Sequence, residues 1–160
     1  MASIRKEFTV NARPADVWKA IREVGAIHTR LAQGFVTDTR LEGDSRVVTF
    51  ANGAVVRELI VDVDDHARRL AYAVVEWQTT HHNASFQVFA DGDGSRVVWI
   101  TDLLPNTLAD TVSGFMEQGV AAMKRTLDAV AGSLDGPNSS KTNQILSGKA
   151  TAPRMRGETT

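Results

Sequence analysis

The sequence predicts an α+β fold: a curved antiparallel sheet of seven strands wrapped around one long C-terminal helix, with two short helices after the first strand. Three observations predict it. Six runs of alternating apolar and polar residues follow one another between Phe35 and Leu104, each bounded by turn residues, as consecutive antiparallel strands require. A lone strand pattern and a broken helical stretch precede them. From Thr107 the apolar spacing changes from two to three and four and persists to Val130. A twisted sheet closed by a single helix leaves a hollow between the layers, and a ligand would sit there.

The first strand sets Ile4, Phe8 and Val10 on one face and Arg5, Glu7 and Thr9 on the other. Pro14 suits a first helical turn because it has no N–H to leave unpaired. Val17, Ile21 and Val24 follow at helical spacing beside Trp18, Gly25 interrupts, and residues 26 to 32 supply one or two further turns. Strands are then expected over 35–42, 46–51, 54–62, 69–77, 82–89 and 96–104. Glu42-Gly-Asp-Ser45, Asn52-Gly53, Asp64-Asp65-His66 and Asp91-Gly-Asp-Gly94 are the turns, and Asn-Gly in particular accepts the positive φ angles of a tight hairpin. Pro105 ends the sheet. In the long helix Leu108, Val112, Phe115, Met116, Gly119, Met123, Leu127 and Val130 form one stripe, and Gly132 is a suitable terminator. Gly114 and Gly119 each cost about 1 kcal/mol relative to Ala, which points to close packing or a bend.

With 160 residues, 42% of them hydrophobic, the chain reads as one globular domain over residues 1–133 followed by a flexible, mildly basic tail over 134–160. From Gly136 onward there is no aromatic residue, and the charge there is +3 against −4 for residues 1 to 135. The net charge of −1 argues against nucleic acid, which requires a basic field. No apolar stretch is long enough to insert into a membrane, and the charged N-terminus lacks a signal-peptide core, so a cytoplasmic location is expected. There is no cysteine, hence no disulfide and no thiolate site. His81 and His82 are adjacent on a strand, so they point to opposite faces and cannot share a metal. No metal site and no cofactor are expected. The expected partner is a hydrophobic small molecule, and the expected state a monomer or weak homodimer.

Three stretches carry a family resemblance: Arg13-Pro-Ala-Asp-Val-Trp18, Arg69-Leu-Ala-Tyr-Ala-Val-Val-Glu76, and Arg96-Val-Val-Trp-Ile-Thr-Asp-Leu-Leu-Pro105. With the order of elements they make the chain resemble the START-like, or Bet v 1-like, helix-grip superfamily (SRPBCC), of the polyketide cyclase/dehydrase type. The likeness covers about residues 3 to 133. It implies a pocket wall on the sheet face toward the long helix. Members bind lipids, hormones, polyketides or alkaloids, and only some are enzymes, so the fold by itself does not fix the function.

Alternation supplies the candidate ligand-binding residues. On the fourth strand Val55, Arg57, Leu59, Val61 and Val63 share a face opposite Glu58, Asp62 and Asp64, and the acidic face is expected to be wet. Arg57 and Leu59 therefore point inward, joined by Tyr72, Val74 and Glu76, by His82 and Phe86, by Trp99 and Thr101, and by Phe115, Met116 and Gly119 of the helix. Each polar member has a second reading. Tyr72 and Trp99 can serve packing alone, Arg57 can pair with Glu76, and Glu76 and His82 can lie at a solvated rim. His82 has the ordinary pKa of a general base near neutrality, but nothing in the sequence supplies a group to orient it, and no catalytic residue is assigned. The leading function is the binding of a hydrophobic lipid, polyketide or aromatic molecule. A polyketide cyclase or aromatase, with Arg57, Tyr72 and His82 polarising a carbonyl and moving a proton, is the alternative. A protein-binding module gripping its partner by the mouth loops is a third.

Overall fold

A computed structural model describes residues 2–134. The tail expected over 134–160 lies, from residue 135 on, outside the described residues. The elements are β1 (Ala2–Val10), α1 (Pro14–Arg22), a π-type turn (Ile27–Leu31), β2 (Val36–Glu42), β3 (Ser45–Phe50), β4 (Val55–Asp64), β5 (Arg69–Val75), β6 (His81–Asp91), β7 (Gly94–Leu104), a 3-10 turn (Asn106–Leu108) and α2 (Ala109–Leu134). The seven strands form one sheet in the order β1-β7-β6-β5-β4-β3-β2, with every neighbouring pair antiparallel. The expected architecture is therefore present, with the two short helical segments where Pro14 and Gly25 punctuate the chain.

The 26 residues of α2 make a rod about 39 Å long, enough to cross the whole sheet. Its stripe buries Val112, Met116, Met123 and Leu127. Polar contacts hold it along β1: Lys6 Nζ meets Glu117 Oε1 at 2.8 Å, Lys124 Nζ donates to the Thr9 carbonyl at 2.6 Å, and Asp128 Oδ1 accepts from Asn11 N at 2.9 Å. The helix runs past Gly132, the expected terminator. A glycine there is fully compatible with helix at a cost of about 1 kcal/mol, and nothing crowds it.

On α1 the buried residues are Val17, Trp18, Ala20 and Ile21, and Trp18 Nε1 donates to Asp65 Oδ1 at 2.9 Å, pinning the helix to the β4–β5 turn. Gly94, at the start of β7, admits no side chain, since a Cβ there would lie 2.3 Å from the Val10 carbonyl oxygen. That close approach brings β1 and β7 together, and Ser95 Oγ seals it by donating to the Ala12 carbonyl at 2.6 Å.

On β4 the expected alternation is inverted. Val56 and Glu58 are buried, whereas Val55 is 57% and Val61 60% exposed. The β3–β4 hairpin fixes this, because its register puts Val48 opposite Val56 and Arg46 opposite Glu58. Val48 and Phe50 must face the helix, so their partners do too. A bulge between Ile60 and Asp62 then shifts the phase, and Val63 comes to lie opposite the fully buried Leu70.

Candidate functional site: a cavity between sheet and helix

Between the inner face of the sheet and α2 lies a cavity of about 210 Å³. Three elements close it from outside the sheet. The π-type turn contributes Ile27 and Leu31, α2 contributes Val112, Phe115, Met116, Gly119 and Met123, and Trp77 reaches in from the β5–β6 connection. Most of the lining is apolar. Nine of the twelve residues expected from alternation line it: Tyr72, Val74, His82, Phe86, Trp99, Thr101, Phe115, Met116 and Gly119.

Three expected residues do not. Arg57 and Leu59 point to the outer, convex face because the hairpin register reverses β4. The Arg57 guanidinium pairs there with Glu42 Oε2 at 2.6 Å and Glu76 Oε2 at 3.4 Å, and the Glu42 carboxylate raises its pKa further. Glu76 is exposed. Its φ of +58° takes the chain out of β5, which ends at Val75, so strand alternation does not reach Glu76.

The polar end of the cavity comes instead from Arg46 and Glu58. Arg46 Nε donates to Glu58 Oε2 at 2.6 Å, with side-chain exposures of only 3% and 10%. Arg46 Nη1 also reaches the Val24 carbonyl at 3.4 Å, and its guanidinium lies 5.1 Å from the centroid of the Tyr72 ring. The cation is thus satisfied on three sides by the protein itself.

Tyr72 stands next to this pair. Its Oη accepts from Trp99 Nε1 at 3.0 Å, which leaves the phenolic proton free to donate. Burial, reinforced by the nearby Glu58 charge, pushes its pKa well above the ordinary range, so the proton stays on. Trp99 stacks on Phe86 at 4.8 Å, and Phe86 on Tyr72 at 6.1 Å. An aromatic wall thereby holds one hydroxyl donor in a fixed place.

His82 lines the same cavity as Glu58 and Val74, and on β6 it stands opposite Leu103 of β7. Burial, with repulsion from His81 added, pulls its pKa down to about 4, so its imidazole is neutral at pH 7. Its Nδ1 has no hydrogen-bond partner among the described residues, and Trp77 packs tilted over the ring at 6.2 Å. No carboxylate orients this imidazole, so the dyad that general-base catalysis needs is missing among the described residues. No group of three or more His, Asp or Glu able to hold a metal ion occurs among them either.

At the other end Phe35, Phe50 and Phe115 close a triangle of rings with centroids 4.7 to 5.2 Å apart. Gly119 permits this packing. A Cβ there would stand 3.1 Å from Phe35 Cε1 and 3.0 Å from Trp99 Cζ3.

A family model described as polyketide cyclase/dehydrase and lipid transport matches residues 1–134. The chain belongs to this family. No curated protein sequence matches it. Among solved structures, a protein of Thermobifida fusca is 27% identical with a TM-score of 0.67, covering 84% of this chain and 96% of that one. Norcoclaurine synthase of Thalictrum flavum, in complex with dopamine and hydroxybenzaldehyde, is 19% identical with a TM-score of 0.62 over 82% of this chain and 87% of the synthase. The protein Ara h 8.0201 is 16% identical, also with a TM-score of 0.62, over 82% and 98%. At these identities the synthase and Ara h 8.0201 share the helix-grip fold with this family member, and the likeness extends no further. No helix among the described residues is long and apolar enough to cross a membrane.

Proposed function

We propose that the protein binds a hydrophobic small molecule in the cavity between sheet and α2, with a carbonyl or hydroxyl oxygen of the ligand accepting from Tyr72. The observation that carries this reading is a mostly apolar cavity whose internal charges are already paired with each other. Arg46 and Glu58 cancel, His82 is neutral, and Tyr72 offers a proton that no group among the described residues takes. Apolar walls with a few fixed polar groups are how small-molecule pockets obtain both affinity and orientation. The family's description, which includes lipid transport, supports the same reading.

The family description also names cyclases and dehydrases, but the arrangement of this site favours binding over turnover. His82 lacks an orienting partner, and the Arg57 that a carbonyl-polarising role required is outside the cavity. The test is native mass spectrometry of freshly purified protein, followed by ligand-dependent melting. A co-purified apolar molecule that raises the melting temperature and is recovered unchanged is the expected result. A ligand recovered chemically altered would show an enzyme, and a Val74→Trp variant that keeps the same ligand would place it outside this cavity.

A further inference from the structure

Beyond the three phenylalanines lies a second hollow of about 310 Å³, open to solvent. Phe35, Phe50, Phe115 and Asn52 line both spaces, so the ring triangle is the partition between an inner cavity and an outer vestibule. The rest of the vestibule is Gly34 and Ala51 from the sheet side and Gln118, Ala121 and Arg125 from α2. No carboxylate lines it. Arg125 is its only charged group, and it has no ion-pair partner among the described residues. The acid nearest on its helix face, Asp128, is engaged with Lys124 Nζ at 3.7 Å and with Asn11 N.

We propose that the vestibule is a second subsite of the same pocket, specific for an anionic group, and that the natural ligand is a free amphiphile whose apolar part passes the phenylalanine partition while its carboxylate or similar anion stays at Arg125. This rests on the cavity reading above and extends it. Two features of the molecule lead there. The first is size: the inner cavity alone falls below the roughly 300–1,000 Å³ of ordinary ligand pockets, whereas both spaces together lie inside that range. A ligand larger than the inner cavity would extend across the partition. The second is charge. Inside, the Arg46 cation is consumed by Glu58 and the Tyr72 hydroxyl is a neutral donor, so a carboxylate finds no free cation to pair with there. At the mouth a lone guanidinium on a long, adaptable stem faces the opening, where a carboxylate can keep part of its hydration and still gain a charge-assisted hydrogen bond.

Phe35 and Phe115 are only half-buried, while Phe50 beneath them is buried. Ring edges that now pack on one another can pack on an alkyl or aryl segment instead.

The test is isothermal titration calorimetry with decanoate, decanol and decyltrimethylammonium, three probes of equal chain length and different head charge. Wild-type protein should bind decanoate at least tenfold more tightly than decanol, and the cationic probe least. Arg125→Gln should remove the decanoate preference while leaving decanol affinity within twofold, and Arg125→Lys should retain most of it. A decanoate preference that survives Arg125→Gln, or equal loss for decanoate and decanol, overturns the vestibule assignment while decanol binding keeps the cavity reading intact. If decanoate and decanol both fail to bind, the cavity reading falls and takes this one with it. Sedimentation with phosphatidylglycerol vesicles should be no greater than with phosphatidylcholine vesicles. Arg125-dependent sedimentation with the anionic vesicles would instead make the partner a membrane surface and refute a free amphiphile.

Discussion

Arg46 on β3 and Glu58 on β4 stand directly opposite one another and form a 2.6 Å ion pair on the cavity wall, almost wholly out of water. Two charges in an apolar cavity offset much of their desolvation cost by their mutual attraction, but only while both are present. Single substitutions, Arg46→Met or Glu58→Leu, are expected to lower stability by about 3–5 kcal/mol, because each strands the other charge. The double variant should recover most of that loss. A double-mutant cycle by urea denaturation measures it, and additive single effects would mean that the pair is effectively solvated.

Gly114 and Gly119 lie five residues apart on α2 and should respond oppositely to alanine. Nothing lies within 4 Å of a Cβ at Gly114, so Gly114→Ala gains helix propensity of about 1 kcal/mol. At Gly119 the added methyl meets two aromatic rings at 3.0 and 3.1 Å, and the overpacking costs about 1–3 kcal/mol, outweighing that gain. Thermal melts of the two variants check the opposite signs, and stabilisation by both would show that Phe35 and Trp99 move aside freely.

The glycines also illustrate how much of the site was legible. Periodicity placed the α2 stripe, and with it Phe115, Met116 and Gly119, because a helix buried on one side records its orientation in spacing alone. Strands β5 and β6 were equally readable, since Leu70 and Tyr72, and Ala84, Phe86 and Val88, are buried at every second position. Strand β4 was not. Its outer row of Val55, Leu59 and Val61 is more apolar than its inner row, so composition pointed the wrong way and carried Arg57 inward with it. The signal that overrides composition is the Asn52-Gly53 hairpin, whose register ties Glu58 to Arg46 and Val56 to Val48. Phe35 and Arg125 are not marked by that pattern, because Arg125 lies on the exposed side of the buried α2 stripe and Phe35 precedes β2.

His82 sets a pH dependence whose sign follows from its depressed pKa. The folded protein holds it near 4 against an ordinary value of 6.5, so between these values the unfolded chain binds more protons than the folded one. Its contribution to stability is complete above about pH 6.5 and is lost as pH falls toward 4. A His82→Gln variant should show a flatter stability profile across that window, read from denaturant midpoints at successive pH values. Titration of the His82 ring signals by NMR with a midpoint above 6 would contradict the burial argument.

Tyr72→Phe is the sharpest probe of the inner cavity, because it removes one oxygen that does two things. Trp99 Nε1 loses its acceptor, which costs about 1–3 kcal/mol if no water replaces it. A ligand oxygen loses its donor at the same time. Ligands carrying a carbonyl should therefore weaken by about 0.5–1.5 kcal/mol, up to roughly tenfold in affinity, while a hydrocarbon of the same shape stays unaffected. Calorimetric titration of wild type and variant with an aromatic ketone and the matching hydrocarbon separates the two effects, since the stability loss acts on both ligands alike and the lost donor on one. An unchanged ketone-to-hydrocarbon ratio would mean that the Tyr72 proton faces no ligand atom, and that the polar group of the ligand is read at the vestibule alone.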